Sequence, residues 1–361
     1  MKFGLFDHLE RSDDRPLYTQ FDERLEFAAA ADEAGFYALQ VAEHHSSPLN
    51  MVPVPGLWLS AVARATKQMR IGTLCYLLPL YSPLRLLEEI CMLDQLSKGR
   101  LEIGIGRGVS PFEMKYHHVE HSDSREIMID HYKCLRAGLG QSEFSYEGKH
   151  YQYKNVPLPF KPLQEGGPAF WYGSSNATGA QWSGEHRMHF VANGGPDFAK
   201  PNIDAYRAAL AKVGGKVEHP KSEFPGGGVI GHLRHVVVAD TDEEAVRIAK
   251  PAVEHHAGSL NWIRKRHNQT EFADRLHVHR TESFEDWARL GMVVAGSPET
   301  VVRELTKQAE FLGVNYQLLY MFFGTMTLPQ ALRSMHLFRN EVMPKMAHVG
   351  TSVPALAQAA E

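Results

Sequence analysis

The stretch RIGTLCYLLPLYSPLRLLEEICMLDQLSKGRLEIGIGRG, residues 70–108, carries the reading that decides the fold. It opens on an apolar, β-rich run, RIGTLCYLLP (70–79). Ser82 and Pro83 then supply a cap and a first helical position, and SPLRLLEEICMLDQLSKG (82–99) reads as a helix that stops at Lys-Gly. RLEIGIG (100–106) is a second apolar run. Strand, helix and strand in one short block make a βαβ unit. Both runs are apolar throughout rather than alternating, as expected of strands covered on both faces.

The same signature extends in both directions. Further candidate strands are KFGLFD (2–7), YALQVAE (37–43), AFWYGS (169–174), HFVAN (189–193), RHVVVA (234–239) and YQLLYMFF (316–323). DERLEFAAAADEAG (22–35) has a helical apolar stripe and a glycine stop. Thr241 with Glu244 forms a capping-box pattern, and Ser297-Pro298-Glu299 opens another helix. Eight strands, each followed by a helix, predict an α/β fold, a (β/α)8 TIM barrel, with a doubly wound open sheet as the alternative. The barrel is expected to fill 1–350 as a single domain with two insertions. One, about 140–167, contains SEFSYEGKHYQYKNVPLPFKPLQ and reads as a small hairpin excursion. The other, 257–296, is charged, His-rich and weakly periodic, as suits a lid. Residues 351–361 read as a frayed tail.

Composition excludes several classes. At 43% hydrophobic and 22% charged the chain is globular, and its net charge of −4 with interspersed signs gives no nucleic-acid footprint. No apolar run reaches the ~18 residues of a membrane span. The N-terminus MKFGLFDHLERSDD turns acidic without an apolar core, so it does not read as a signal peptide. Cys75, Cys91 and Cys134 are an odd and sparse set without CxxC, which argues against thiolate zinc and fits a reducing, cytoplasmic setting.

Four stretches carry candidate chemistry. VAEHHSSP (41–48) ends a strand on Glu43, His44 and His45, which could be metal ligands, a proton-transfer site or a polar strand end. Neighbours on a strand point to opposite faces, which disfavours one metal drawing on both histidines. HLRH (232–235), EHHAG (254–258) and HVH (277–279) could add ligands, but no acid follows the last strand to complete a binuclear pattern, and no metal is expected. GIGRGVSP (104–111) matches neither phosphate-loop motif. Its glycines would let a flat ring or an anion approach the backbone and Arg107 offers a planar fork, or it is a tight turn with a surface arginine. YGSSNATGAQW (172–182) sets Ser175 and Thr178 three apart at a helix start, an anion site or plain capping by Ser175. LLPLYSP (77–83) would form a greasy wall.

Together these pieces resemble the bacterial luciferase family of flavin-dependent monooxygenases, most of all its luciferase α-subunit branch. The likeness runs from MKFGLF through AEHH, the block 70–108, Ser175 with Thr178 and Trp182, and GSPE, to MHLFRNEVMP (335–344). It is weak over 109–168 and 255–296. The resemblance implies a barrel that takes reduced FMN (FMNH2) from a flavin reductase, adds O2 at the flavin C4a position and oxygenates a small organic substrate. Position by position it implies His44 as the catalytic acid/base. It implies Arg107, Ser175 and Thr178 as phosphate ligands, and Leu74-Cys75 as a cis dipeptide supporting the flavin ring. Gly106 stands beside the ring where the luciferase α subunit has a reactive cysteine. A homodimer through the helices around 53–65 and 84–97 is implied as well. The rival readings are a deazaflavin (F420)-dependent oxidoreductase on the same barrel, a non-catalytic flavin-binding subunit, and a metallohydrolase.

Overall fold

The structure is a computed structural model that describes residues 1–268 and 281–351. β1 (Lys2–Asp7) leads to α1 (Leu17–Ala34), and β2 (Ala38–Val41) to α2 (Pro55–Ala65). β3 (Arg70–Thr73) and its short continuation β4 (Tyr76–Leu77) lead to α3 (Pro83–Leu96). β5 (Leu101–Gly106) is followed by α4 (Pro111–Tyr116) and α5 (Ser124–Gly138). An antiparallel hairpin of β6 (Glu143–Glu147) and β7 (Gln152–Pro157) comes next. β8 (Phe170–Ser174) leads to α6 (Ala177–Glu185), β9 (His189–Ala192) to α7 (Pro196–Lys212), and β10 (Ile230–Val238) to α8 (Asp242–Arg266). Then come α9 (Phe284–Arg289), β11 (Val293–Gly296), α10 (Pro298–Leu312), β12 (Tyr316–Tyr320) and α11 (Leu328–Leu337).

The parallel order β1-β2-β3-β5-β8-β9-β10-β12 closes on itself. Gly231 of β10 lies opposite Val191 of β9, and Gln317 of β12 opposite Phe3 of β1. An open doubly wound sheet would leave one of those pairs unmade, so the fold is the (β/α)8 barrel. β11 stands outside the ring, beside the far end of β10. Every residue of β5 and β12 is buried, the inner face by side chains across the barrel and the outer face by helices.

Several boundaries differ from the sequence reading, each for a local reason. α1 starts at Leu17, directly after Pro16, and ends on Gly35 in the left-handed region (φ 82°). β10 begins at Ile230, because the apolar pattern already runs through GVIGHL. The run 70–79 is not one strand: it breaks after Thr73 at a cis peptide between Leu74 and Cys75. Of the stretch 257–296, residues 257–266 complete α8, and 293–296 form β11. Residues 269–280 of it, and the tail from 352, lie outside the described residues.

Contacts at the N-terminal end of the barrel show which side chains face inward. Trp171 of β8 donates to Glu102 of β5 at 2.7 Å and packs against His189 of β9 and Tyr316 of β12. Arg70 and Lys221 neutralise Glu102, so this end is closed by a charge-paired plug. Alternation then puts Gly104 and Gly106 on the inner face of β5, Gly173 on that of β8, and Leu318 and Tyr320 on that of β12. Above the plug, one side of the barrel is lined by glycine and the other by rings.

Candidate active site

The residues after β2 go to different partners. Glu43 is 2% exposed. One of its oxygens accepts from the Leu77 amide (3.0 Å) and the Tyr81 hydroxyl (2.9 Å), and the other lies 2.8 Å from Nε2 of His45. Glu43 thus ties the end of β2 to β4, with His45 as its other partner. His44 turns the opposite way, and its Nδ1 lies 3.2 Å from Oε1 of Glu113. The second oxygen of Glu113 accepts the His45 amide at 3.2 Å.

Glu113 comes from α4, whose cap, Ser110, accepts from the Glu113 amide. Its spacing from Ser110 reads as a capping box, which hides its other role: the carboxylate reaches the end of β2 instead. Burial by itself disfavours a charged His44 imidazole. The Glu113 carboxylate, with Glu43 further off, outweighs burial and an opposing push from Arg264, and raises the His44 pKa above the usual histidine value. A carboxylate on Nδ1 also sets the tautomer and leaves Nε2 as the atom that can exchange a proton.

The ends of β5 and β8 carry polar side chains with few partners among the described residues. The pairing of Ile105 with Tyr172 brings the ends of β5 and β8 together, so Arg107 and the segment Ser174–Thr178 emerge side by side. Among the described residues, the Arg107 side chain reaches only its neighbour's carbonyl, that of Gly108, at 3.3 Å. Asn176, not Ser175, caps α6, accepting from the Gly179 amide at 2.9 Å. The Ser175 and Thr178 hydroxyls therefore make no hydrogen bond among the described residues. Burial pushes the Tyr172 phenol up to about 12; Cys75 adds to this, while Arg125 and Arg107 pull against it. Two guanidinium groups thus bear on this corner, and the sequence reading missed Arg125, which nothing in the pattern of α5 distinguishes from a surface cation.

Cys75 and Gly106 meet. A Cβ built on Gly106 would collide with the Cys75 sulfur, so the thiol fills the space that a side chain on β5 would take. Burial, with Glu43 adding, pushes the Cys75 thiol up to about 12, and it stays protonated. Leu74 lies over Gly173, 3.4 Å from where a Cβ would stand.

Histidines dominate the opposite wall. His8 follows β1 and stacks on His44, with centroids 5.1 Å apart. It was legible as a strand-end histidine but was passed over in the sequence reading. Of the histidines read as possible ligands, His232 bonds the Gly194 carbonyl at 3.1 Å, and His256 lies 2.9 Å from Glu10. HVH (277–279) lies outside the described residues, among which no group of three or more His, Cys, Asp or Glu could hold a metal.

Fold and site together define a (β/α)8-barrel protein whose reactive groups cluster at the C-terminal ends of its strands. The chain belongs to the family of luciferase-like monooxygenases, which it matches over residues 1–316. It is 33% identical over 352 residues to the uncharacterised protein y4wF of Sinorhizobium fredii, covering 96% of this chain and 97% of that one. Over 261 residues it is 29% identical to the oxygenase component of the flavin-dependent trigonelline monooxygenase of Acinetobacter baylyi, covering 68% and 67% of the two chains. It superposes, with a TM-score of 0.80 and 23% identity, on the oxygenating constituent of 3,6-diketocamphane monooxygenase from Pseudomonas putida. That protein is a Type II Baeyer–Villiger monooxygenase in complex with FMN, and the match covers 96% of this chain and 98% of it.

Proposed function

We propose that this chain is the oxygenase of a two-component flavin monooxygenase. It takes reduced FMN from a separate reductase and uses O2 to put one oxygen atom on a small organic substrate, with His44 as acid/base. The observation that carries this reading is the pairing, around one barrel mouth, of a carboxylate-held imidazole with a cluster of cations and hydroxyls that make no ion pair among the described residues. The names of the relatives support it: one is an oxygenase component, and another holds FMN on the same fold.

The residues present fit FMN. Arg107, Ser175 and Thr178, with Arg125 nearby, suit a phosphate, since charge-assisted bonds to free donors are the strong ones. Leu74, Cys75 and Gly106 form a thiol-filled, glycine-lined side against which a flat ring can lie. Reduced FMN, when bound, supplies the electrons that activate O2. The chain's own part is to hold that ring, to keep water from the mouth and to move a proton at Nε2 of His44, with Nδ1 anchored on Glu113. Free thiols at Cys75, Cys91 and Cys134 are in keeping with a cytoplasmic setting. Leu57, 74% exposed, and Met92, 53% exposed, lie on α2 and α3, and support a homodimer through those helices.

The deciding experiment is an anaerobic titration with reduced FMN followed by mixing with O2. Binding, with peroxide released more slowly than from free reduced FMN, is the expected result. Failure to bind reduced FMN, or binding of a deazaflavin with no response to O2, overturns the reading.

A further inference from the structure

The short helix α4 is gripped from two sides. Phe112 and Tyr116 stand one turn apart, as do Glu113 and His117 at its end, so the two pairs form adjacent stripes. The second stripe faces the end of β2. Glu113 makes its 3.2 Å contacts there with the His44 imidazole and the His45 amide, and the His117 ring meets that of His45 at 4.4 Å. The first stripe faces the end of α8. Phe112 stacks on His267, with centroids 4.0 Å apart and planes 9° from parallel. The Tyr116 hydroxyl lies 2.6 Å from Nε2 of the same imidazole.

The two grips are unequal. Strong bonds between a cation and a carboxylate are about 2.7–2.9 Å long, so the contacts of Glu113 hold it loosely. The contacts to His267 are the closer ones. A six-residue helix has little stability of its own, and rotation by one residue, about 100°, would carry Glu113 away from His44. His267 is exposed, so its two ring contacts do not serve to fill the core. Arg264, three residues earlier on α8, adds to the grip. Burial lowers its pKa and Glu113 opposes that, so this cation bears on the Glu113 carboxylate.

We propose that His267 is a positioning residue: by gripping Phe112 and Tyr116 it fixes the rotation of α4 that keeps the Glu113 carboxylate on Nδ1 of His44. The inference rests on reading His44 as the acid/base of this site and names what holds its anchor in place. The groups facing the His44 ring are Glu113 from α4, Glu43 from its own strand end, Arg264 from α8 and His8 from the end of β1. Burial and Arg264 lower the His44 pKa, while Glu113 and Glu43 raise it. Of these groups only Glu113 stands on α4, so loosening α4 should move the His44 titration one way, to lower pH.

The test follows the His44 imidazole nitrogens by NMR across pH in the flavin-free protein, for the parent, His267→Ala, Glu113→Gln and the double variant. Tyr116→Phe, which removes only the hydroxyl, is the milder second probe of the same contact. His267→Ala and Tyr116→Phe should each lower the His44 midpoint, in the direction of Glu113→Gln. The double variant should titrate as Glu113→Gln alone does, because the effect of His267 passes through that carboxylate. Amide exchange over 112–117 should quicken roughly 10-fold in His267→Ala, for the loss of one ring stack and one hydrogen bond. An unmoved His44 titration in both single variants at the clamp means that buried Met114 holds α4 unaided, and it overturns the proposal. So does an equal shift from His267→Ala in the Glu113→Gln background. Failure of the acid/base reading shows separately: the His44 titration then moves in His267→Ala, while the acid limb of peroxide yield stays where it was.

Discussion

His44 and His45 are neighbours in the chain, yet their imidazoles are held by different glutamates, and this separation sets what each ring can do. The elevated His44 pKa means that the imidazole is protonated below that value and free to accept a proton only above it. If His44 acts as the base, activity should fall on the acid side with a midpoint above the ordinary histidine value. Glu113→Gln removes the main group that raises the pKa, so this acid limb should move to lower pH, with Glu43, Arg264 and His8 still facing the ring. Peroxide yield against pH, or turnover once a substrate is in hand, checks it; an unmoved limb denies Glu113 this positioning role. The same sign governs stability: the His44–Glu113 contribution is present at pH below the unfolded histidine value and is lost as pH rises through the raised one. For Arg107→Ala, loss of one charge-assisted contact of about 1.5–3 kcal/mol should weaken reduced FMN binding roughly 10- to 150-fold. Equilibrium titration reads it, and unchanged affinity removes Arg107 from the phosphate site.

At the scale of elements, the decisive feature is the interruption between β3 and β4, where the chain turns the Cys75 thiol into the space beside Gly106. Gly106→Ala should therefore cost about 1–3 kcal/mol by overpacking. Cys75→Ala in the same chain should recover most of it, a coupling that urea denaturation of the two single variants and the double variant would measure. Simple additivity would mean that the two side chains do not share the space. α4 is the other element that matters. At six residues it is too short to be stable alone. It leans on the end of α8, with Phe112 stacked on His267 at 4.0 Å and the Tyr116 hydroxyl 2.6 Å from the same imidazole. The strand, helix and strand of 70–108 were legible because both apolar runs and the Ser-Pro start are local signals. The break at Leu74-Cys75 was legible only by resemblance, and the reach of α4 to β2 not at all.

For the whole molecule, the many histidines have a common consequence. Burial drives His131 and His189 down to about 4, and it holds His8, His232 and His235 well below the usual value. Their folded pKa values lie below the unfolded value of 6.5, so the unfolded chain binds protons that the native one refuses. Stability should fall as pH drops from 6.5 toward 4, by about 1.4 kcal/mol per pH unit for each group so linked. Urea midpoints across that range test it, and a flat profile contradicts it. The proposed homodimer gives a second test. Leu57→Asp with Met92→Lys on the exposed faces of α2 and α3 should yield a monomer by sedimentation equilibrium; a wild-type chain that is already monomeric rejects the assembly.

By itself, the sequence determined the class of fold and the positions where chemistry could sit. Uniformly apolar runs that alternate with capped helices are local facts, and the eight barrel strands all lie where those runs are. His44, Arg107, Ser175 and Thr178 could be picked out because each follows such a run. Ring closure was decided only in three dimensions, since it depends on β12 finding β1 and β9 finding β10 across long stretches of chain. Partner choice was decided there too. Glu113 lies 69 residues from His44, and Tyr320 and His235 reach the mouth from strands near the other end of the chain. A side chain's hydrogen bonds are set by what the closed barrel brings within about 3 Å, and no spacing along the sequence records that distance.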